Sequence, residues 1–134
     1  MGKLFSTSYS ASTFNIALLI LRITGGIFII PHGYDKFVHY QQYKPTSLNF
    51  LHLGSGPSLA LNIFAEVICG ALVILGLFTR LATIPLLINM AVVVLIAEQA
   101  DFFGKAEHGA MFFGIFLTIL LTGPGKISVD GMIK

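Results

Sequence analysis

Three polar side chains sit inside apolar runs where water would not reach them: Arg22, Glu66 and Asn89. Arg22 falls within LLILRITGGIFIIPHGYDKF, Leu18–Phe37, a run long enough to cross a bilayer. A charge near the centre of such a helix costs ~2.5–3.5 kcal/mol on insertion scales, so it needs a partner. Helical rise suggests one. Arg22 lies eight residues after Phe14, or ~12 Å from the inner end at 1.5 Å per residue. Glu66, nine residues after Pro57 on a returning helix, falls ~16 Å from the same end of a ~30 Å core. Asn89, eight residues after Leu81, comes back to ~12 Å. The expectation is a buried, hydrogen-bonded Arg22–Glu66 pair supported by Asn89. Such a layer either locks the helices together or forms an ion, proton or ligand site.

A second group gathers where the runs end on the other side. The first run closes with His32, Asp35, Lys36 and His39, the third with Glu98 and Gln99, and the fourth opens with Glu107 and His108. His32 and Lys36 are four apart and share a helix face. Pro31 removes a backbone bond and is expected to kink the helix there, opening a pocket. Imidazole titrates near neutral pH, which suits proton transfer. The expected ligand or proton site is therefore His32, Lys36, Glu98 and His108. A pocket that is apolar below and polar at its mouth suits an amphipathic ligand such as a quinone. His32, His108, Glu66 and Glu98 are also conceivable metal ligands, but no HxxxH or ExxH spacing supports a metal, and none is assigned. Cys69 and the Phe112, Phe113 and Phe116 group read as packing, and His52 as a loop side chain.

The elements that must hold these residues are helices. The 134-residue chain is 55% hydrophobic and 10% charged, with a mean hydropathy of +0.86, so it reads as one integral membrane domain, residues 1–134. Apolar segments span about 14–37, 57–78, 81–98 and 108–122. Open sheets would leave backbone groups unpaired in lipid, which makes the fold class all-α, an antiparallel four-helix membrane bundle. Pro57 suits a helix start, and Ser47–Leu53 a short interfacial helix. Ala110, Gly114, Thr118 and Thr122 form a small-residue stripe, expected to let a neighbouring helix come close, as is Gly25-Gly26. The net charge of +2 is dispersed, which excludes a nucleic-acid surface. A single cysteine excludes an internal disulfide or a CxxC redox pair. With both termini on one side, that side holds Lys3, Arg80, Lys126 and Lys134 against Lys36, Lys44 and Lys105, which favours cytoplasmic termini. Arg22 interrupts what would otherwise be the apolar core of a cleaved signal peptide.

Three stretches in order resemble the DoxX family of small bacterial four-helix membrane proteins. They are LLILRITGGIFIIPHGYDKF, FAEVICGALVILGLFTRLATIPL and EHGAMFFGIFLTILLTGPGKISVDGMI, and the resemblance runs from about Leu18 to Gly131. The family pattern has an Arg early in helix one, an HGxxK-type end, a Glu within helix two, a Gly-Leu-x-Thr-Arg turn and a GPGxxSxD ending. Here these are Arg22, His32-Gly33 with Lys36, Glu66, Gly76 to Arg80, and Gly123-Pro124-Gly125 with Ser128 and Asp130. The resemblance implies the bacterial inner membrane and a link to the membrane subunit of a thiosulfate:quinone oxidoreductase. Relatives often carry oxidoreductase names. Because this chain lacks paired cysteines and any haem, flavin or nucleotide motif, the implied role is a quinone or proton site, with a partner supplying the redox centre; a protein partner or a homo-oligomer is expected. The alternatives are a non-catalytic anchoring subunit of a larger complex and a small proton-coupled carrier.

Overall fold

A computed structural model of the chain describes residues 4–43, 54–97 and 107–133, and among these the structure is all-helical. Helix α1 runs Ala11–Val38. Ser10 caps it, its hydroxyl accepting from the Thr13 N–H at 3.1 Å, so one of the unpaired first-turn donors is satisfied. The helix continues through Pro31 to a C-cap at His39. A short α2, Tyr40–Tyr43, follows, and the Tyr40 hydroxyl donates to the Gly56 carbonyl at 2.9 Å, tying the far end of α1 to the start of the next helix.

Helix α3 occupies residues 55–75 in three parts: Ser55–Ile63, a π-helical turn Phe64–Cys69, and Gly70–Leu75. It stops short of the expected Phe78 because Gly76 takes a left-handed conformation, φ 71°, that ends the helix. Helix α4 comprises Thr79–Val92 and a second π turn, Val93–Ala97. Helix α5 is Glu107–Thr122. Gly123 and Gly125, both at φ 83°, then turn the chain into a five-residue helix α6, Val129–Ile133. The expected interfacial helix at Ser47–Leu53 lies outside the described residues.

The four long helices pack around a ring, α1 on α3, α3 on α4, α4 on α5 and α5 back on α1. Ile29, Cys69, Val73, Leu86, Phe116 and Ile119 fill the centre. Close approach of α1 and α3 rests on glycine. A Cβ on Gly26 would run into Ile74 Cγ1 and stand 2.9 Å from the Gly70 carbonyl, and one on Gly33 would stand 2.7 Å from Glu66 Cβ. The stripe on α5 behaves differently from the expectation. Gly114 and Thr118 face outward, and a Cβ on Gly114 would meet nothing within 4 Å. The Thr118 and Thr122 hydroxyls instead donate to carbonyls of their own helix, Gly114 O and Thr118 O.

The surface inverts the usual arrangement. Ile20, Phe28, Leu81, Leu95 and Leu121 are exposed, while Arg22, Glu66, Thr79 and Thr83 are buried. Two helices, Ala11–Val38 and Gly56–Leu75, are long and apolar enough to cross a membrane, with shorter apolar helices at Thr79–Leu95 and Glu107–Thr122 beside them. The Lys126 N–H donates to Asn15 Oδ1 at 3.0 Å, so the start of α1 and the segment after α5 lie at one end of the molecule.

Candidate functional site

The expected Arg22–Glu66 pair does not form; each residue has other partners. Arg22 is buried at the end where α1 begins and α6 lies; there Nη2 donates to the Ile127 carbonyl and Nη1 to the Ile74 carbonyl at 3.5 Å, and Nε has no partner among the described residues. Ile74 lies in the last turn of α3, where carbonyls lack intrahelical donors and the helix dipole favours a cation. The error lay in the register. Gly26 meets Gly70 and Ile74, while Gly33 meets Glu66 and Val67, so α1 and α3 run past each other with Arg22 level with Gly76. Gly33, the residue level with Glu66, stands eleven positions or ~16 Å further along α1 than Arg22. Helix α1 overhangs the end of α3 by about three turns, so counting depth from Phe14 placed Arg22 too far in.

Glu66 instead pairs with Lys36. Lys36 Nζ lies 2.7 Å from Glu66 Oε1 and donates to Asn62 Oδ1 at 2.9 Å. Asn89 Nδ2 donates to the other carboxylate oxygen, Glu66 Oε2, at 3.4 Å. Three helices contribute: α1 gives Lys36, α3 gives Asn62 and Glu66, and α4 gives Asn89. Asn62 and Glu66 are one turn apart and share a face. Glu66 sits in the π turn of α3, whose i→i+5 bonding widens the helix; such turns recur at functional sites. The second π turn begins one turn after Asn89. The pair is asymmetric: the Glu66 side chain is 3% exposed and the Lys36 side chain 24%. The carboxylate is sealed, with both oxygens accepting, while the ammonium keeps a face toward the exterior and a third proton to donate.

The rest of the expected mouth is looser. His32 is exposed, one turn before Lys36, and its ring meets Phe112 edge to face with centroids 5.8 Å apart. Phe112 stacks in turn on Phe116 at 6.1 Å. His108 is exposed at the start of α5 and makes no hydrogen bond to the other described residues. Glu98 lies outside the described residues. The structure therefore brings together Lys36, Glu66 and Asn89, adds Asn62, and leaves Arg22 elsewhere. Asn62 was legible as the residue one turn before Glu66.

At the opposite end Asp130 closes the fold. Its Oδ1 accepts from the Phe78 N–H at 2.8 Å, and its Oδ2 from the Thr79 N–H at 2.9 Å and the Thr79 hydroxyl at 2.8 Å. A residue of α6 thus caps α4, a cap supplied from 51 positions away. Burial pushes the Asp130 carboxyl up, but the bonds from Thr79 and Phe78, together with the nearby Arg22 charge, outweigh it and hold the group below its ordinary value.

Comparison with known proteins bears on the helices that carry the cluster. The DoxX family model matches residues 17–99, which include Lys36, Asn62, Glu66 and Asn89. The chain is 29% identical over 130 residues to the uncharacterized membrane protein Rv3486 of Mycobacterium tuberculosis, covering 85% of this chain and 79% of that protein. It is 30% identical over 120 residues to a Bacillus subtilis protein named "Putative oxidoreductase CatD", covering 88% of this chain and 87% of that one. No solved structure matches.

Proposed function

The chain belongs to the DoxX family of membrane proteins, and from that premise we propose that it is a redox-associated protein of the bacterial inner membrane with a quinone- and proton-handling site at Lys36 and Glu66. The four long helices form an antiparallel bundle across the bilayer, with their apolar outer faces against lipid. The observation that carries the reading is the 2.7 Å Lys36–Glu66 pair, held by Asn62 and Asn89 within a molecule whose outer surface is apolar. An ionisable pair in such a setting needs a reason beyond stability, because apolar residues of similar volume would serve packing as well or better.

Each residue then has a role. Lys36 donates its free N–H to a carbonyl oxygen of the quinone head. Glu66 relays to the quinone the two protons that its two-electron reduction takes up, and Asn62 and Asn89 fix the two charged groups in place. His32 and the Phe112–Phe116 pair flank the same end of the bundle, where an aromatic head group stacks favourably. A quinone supplies two-electron chemistry when bound. The electrons come from a partner protein.

The test is quinone binding by the protein in nanodiscs, followed with a short-chain quinone. Loss of a charged hydrogen bond in Lys36→Met is expected to weaken binding about tenfold or more. Wild-type protein that binds no quinone, or Lys36→Met that binds it equally well, overturns the proposal. If wild type binds no quinone but co-purifies with a larger assembly, the anchoring role takes its place.

A further inference from the structure

The Gly-Leu-x-Thr-Arg turn and the GPGxxSxD ending, 40 or more residues apart in sequence, meet in the fold. Residues 78–81 and 122–126, with Asp130 and Gly131, line an open cleft of about 700 Å³ at the end where α1 begins. Most polar groups of these motifs have structural work. Gly76 ends α3, the Asp130 carboxylate caps α4, and the Ser128 hydroxyl donates to the Gly125 carbonyl at 2.7 Å. Arg80 and Lys126 do not. Both line the cleft, both are exposed, and among the described residues neither side chain has a hydrogen-bond or ion-pair partner.

The two cations line the same cleft. The Arg80 guanidinium lies against the Gly123 backbone, where a Cβ would stand 3.1 Å from Nη2 and 3.2 Å from Nε. The turn that begins there carries Lys126. Among the described residues Asp130 is the only carboxylate in the cleft lining, and both its oxygens are engaged by Phe78 and Thr79. The apolar side chains of the lining complete the pattern: Phe78 is 61% exposed and Leu81 is 67% exposed. A site with two unpaired cations and an apolar flank fits an occupant that is anionic at one end and apolar at the other.

We propose that this cleft binds the phosphate of an anionic membrane phospholipid, with Arg80 and Lys126 on the phosphate and Phe78 and Leu81 against the acyl chains. The proposal shares with the quinone reading only the membrane location and uses none of its residues. Protein purified in a neutral detergent is mixed with phosphatidylglycerol or phosphatidylcholine, and lipid retention is measured by native mass spectrometry. Phosphatidylglycerol is expected to be retained in preference, and the double variant Arg80→Gln/Lys126→Gln to bind it at least about tenfold more weakly. Arg80→Lys/Lys126→Arg, which keeps both charges, is expected to restore most of the retention. Equal retention by wild type and the Gln variant overturns the site. Full displacement by millimolar inorganic phosphate overturns the lipid assignment in favour of a free anion. If the Gln variant fails to fold, a photoreactive phosphatidylglycerol on wild type decides: crosslinks within 78–81 or 122–126 support the proposal, and crosslinks confined elsewhere overturn it. Quinone binding in the same preparation reads the other site separately.

Discussion

Glu66 accepts hydrogen bonds on both carboxylate oxygens while only Lys36 reaches the exterior, so the two halves of the pair should respond differently to mutation. Lys36→Met strands a sealed carboxylate, and its cost is expected to approach the ~3–5 kcal/mol of a broken buried pair. Glu66→Gln leaves an ammonium that is 24% exposed and still bonded to Asn62, at a smaller expected cost of ~1–2 kcal/mol. The double variant should recover part of the Lys36→Met loss; denaturant unfolding in detergent reads all three. Asp130 gives a pH signature at the other end. Its folded value lies below the unfolded one, so its contribution is present above the ordinary carboxylate range, near pH 4, and is lost as pH falls through the folded value. Wild type is expected to lose stability on acidification below about pH 4. Asp130→Asn should be flatter in that range and less stable by ~1 kcal/mol at neutral pH through the weakened cap. Arg22 and Glu66 were recognisable as buried polar residues, and Asn89 as a half-buried one, from type and context alone. The Asn89–Glu66 contact was legible too, but the partner of Arg22 and the cation that pairs with Glu66 were not, because those depend on the relative slide of α1 and α3. Counting from Phe14 and Pro57 gave that slide wrongly.

That slide is set by glycine at the contact between elements. Gly26 of α1 meets Gly70 and Ile74 of α3, and Gly33 of α1 meets Glu66 itself. Gly26→Ala forces a Cβ to 2.9 Å from a backbone carbonyl, and overpacking of this kind is expected to cost ~1–3 kcal/mol. Gly114→Ala, on the open face of α5, should be neutral or stabilising by up to ~1 kcal/mol through helix propensity. Thermal unfolding of the two variants side by side checks the contrast. The positions of the helices follow from the apolar runs, and the close approach at Gly25-Gly26 was legible from the paired glycines. The outward turn of the α5 stripe was not, since a small-residue face reads the same whether a helix or lipid lies against it. The π turns had no sequence signal. They relocate Glu66 around α3 without changing any residue type.

At the scale of the whole molecule, the contact between Asn15 and Lys126 puts the start of α1 and the segment after α5 at one end, and we propose, from the distribution of Lys and Arg, that this end faces the cytoplasm. Single cysteines in place of Ser8 and Met132, in a Cys69→Ala background, should react with an impermeant maleimide in inverted vesicles and not in intact cells. A cysteine in place of Tyr40 should do the reverse. The same end shapes how the protein is made. Arg22 and its acceptor Ile127 are 105 residues apart, and the cap that Asp130 gives to α4 spans 51. While a ribosome is still delivering α5, the first helix is already in place with a guanidinium that lacks its main acceptor. Membrane insertion must therefore tolerate, for the length of one round of translation, a charge that the finished protein hides. Chains stopped after Gly125 would keep that charge exposed and offer membrane proteases a mark of incompleteness; pulse–chase labelling should show them cleared faster than full chains.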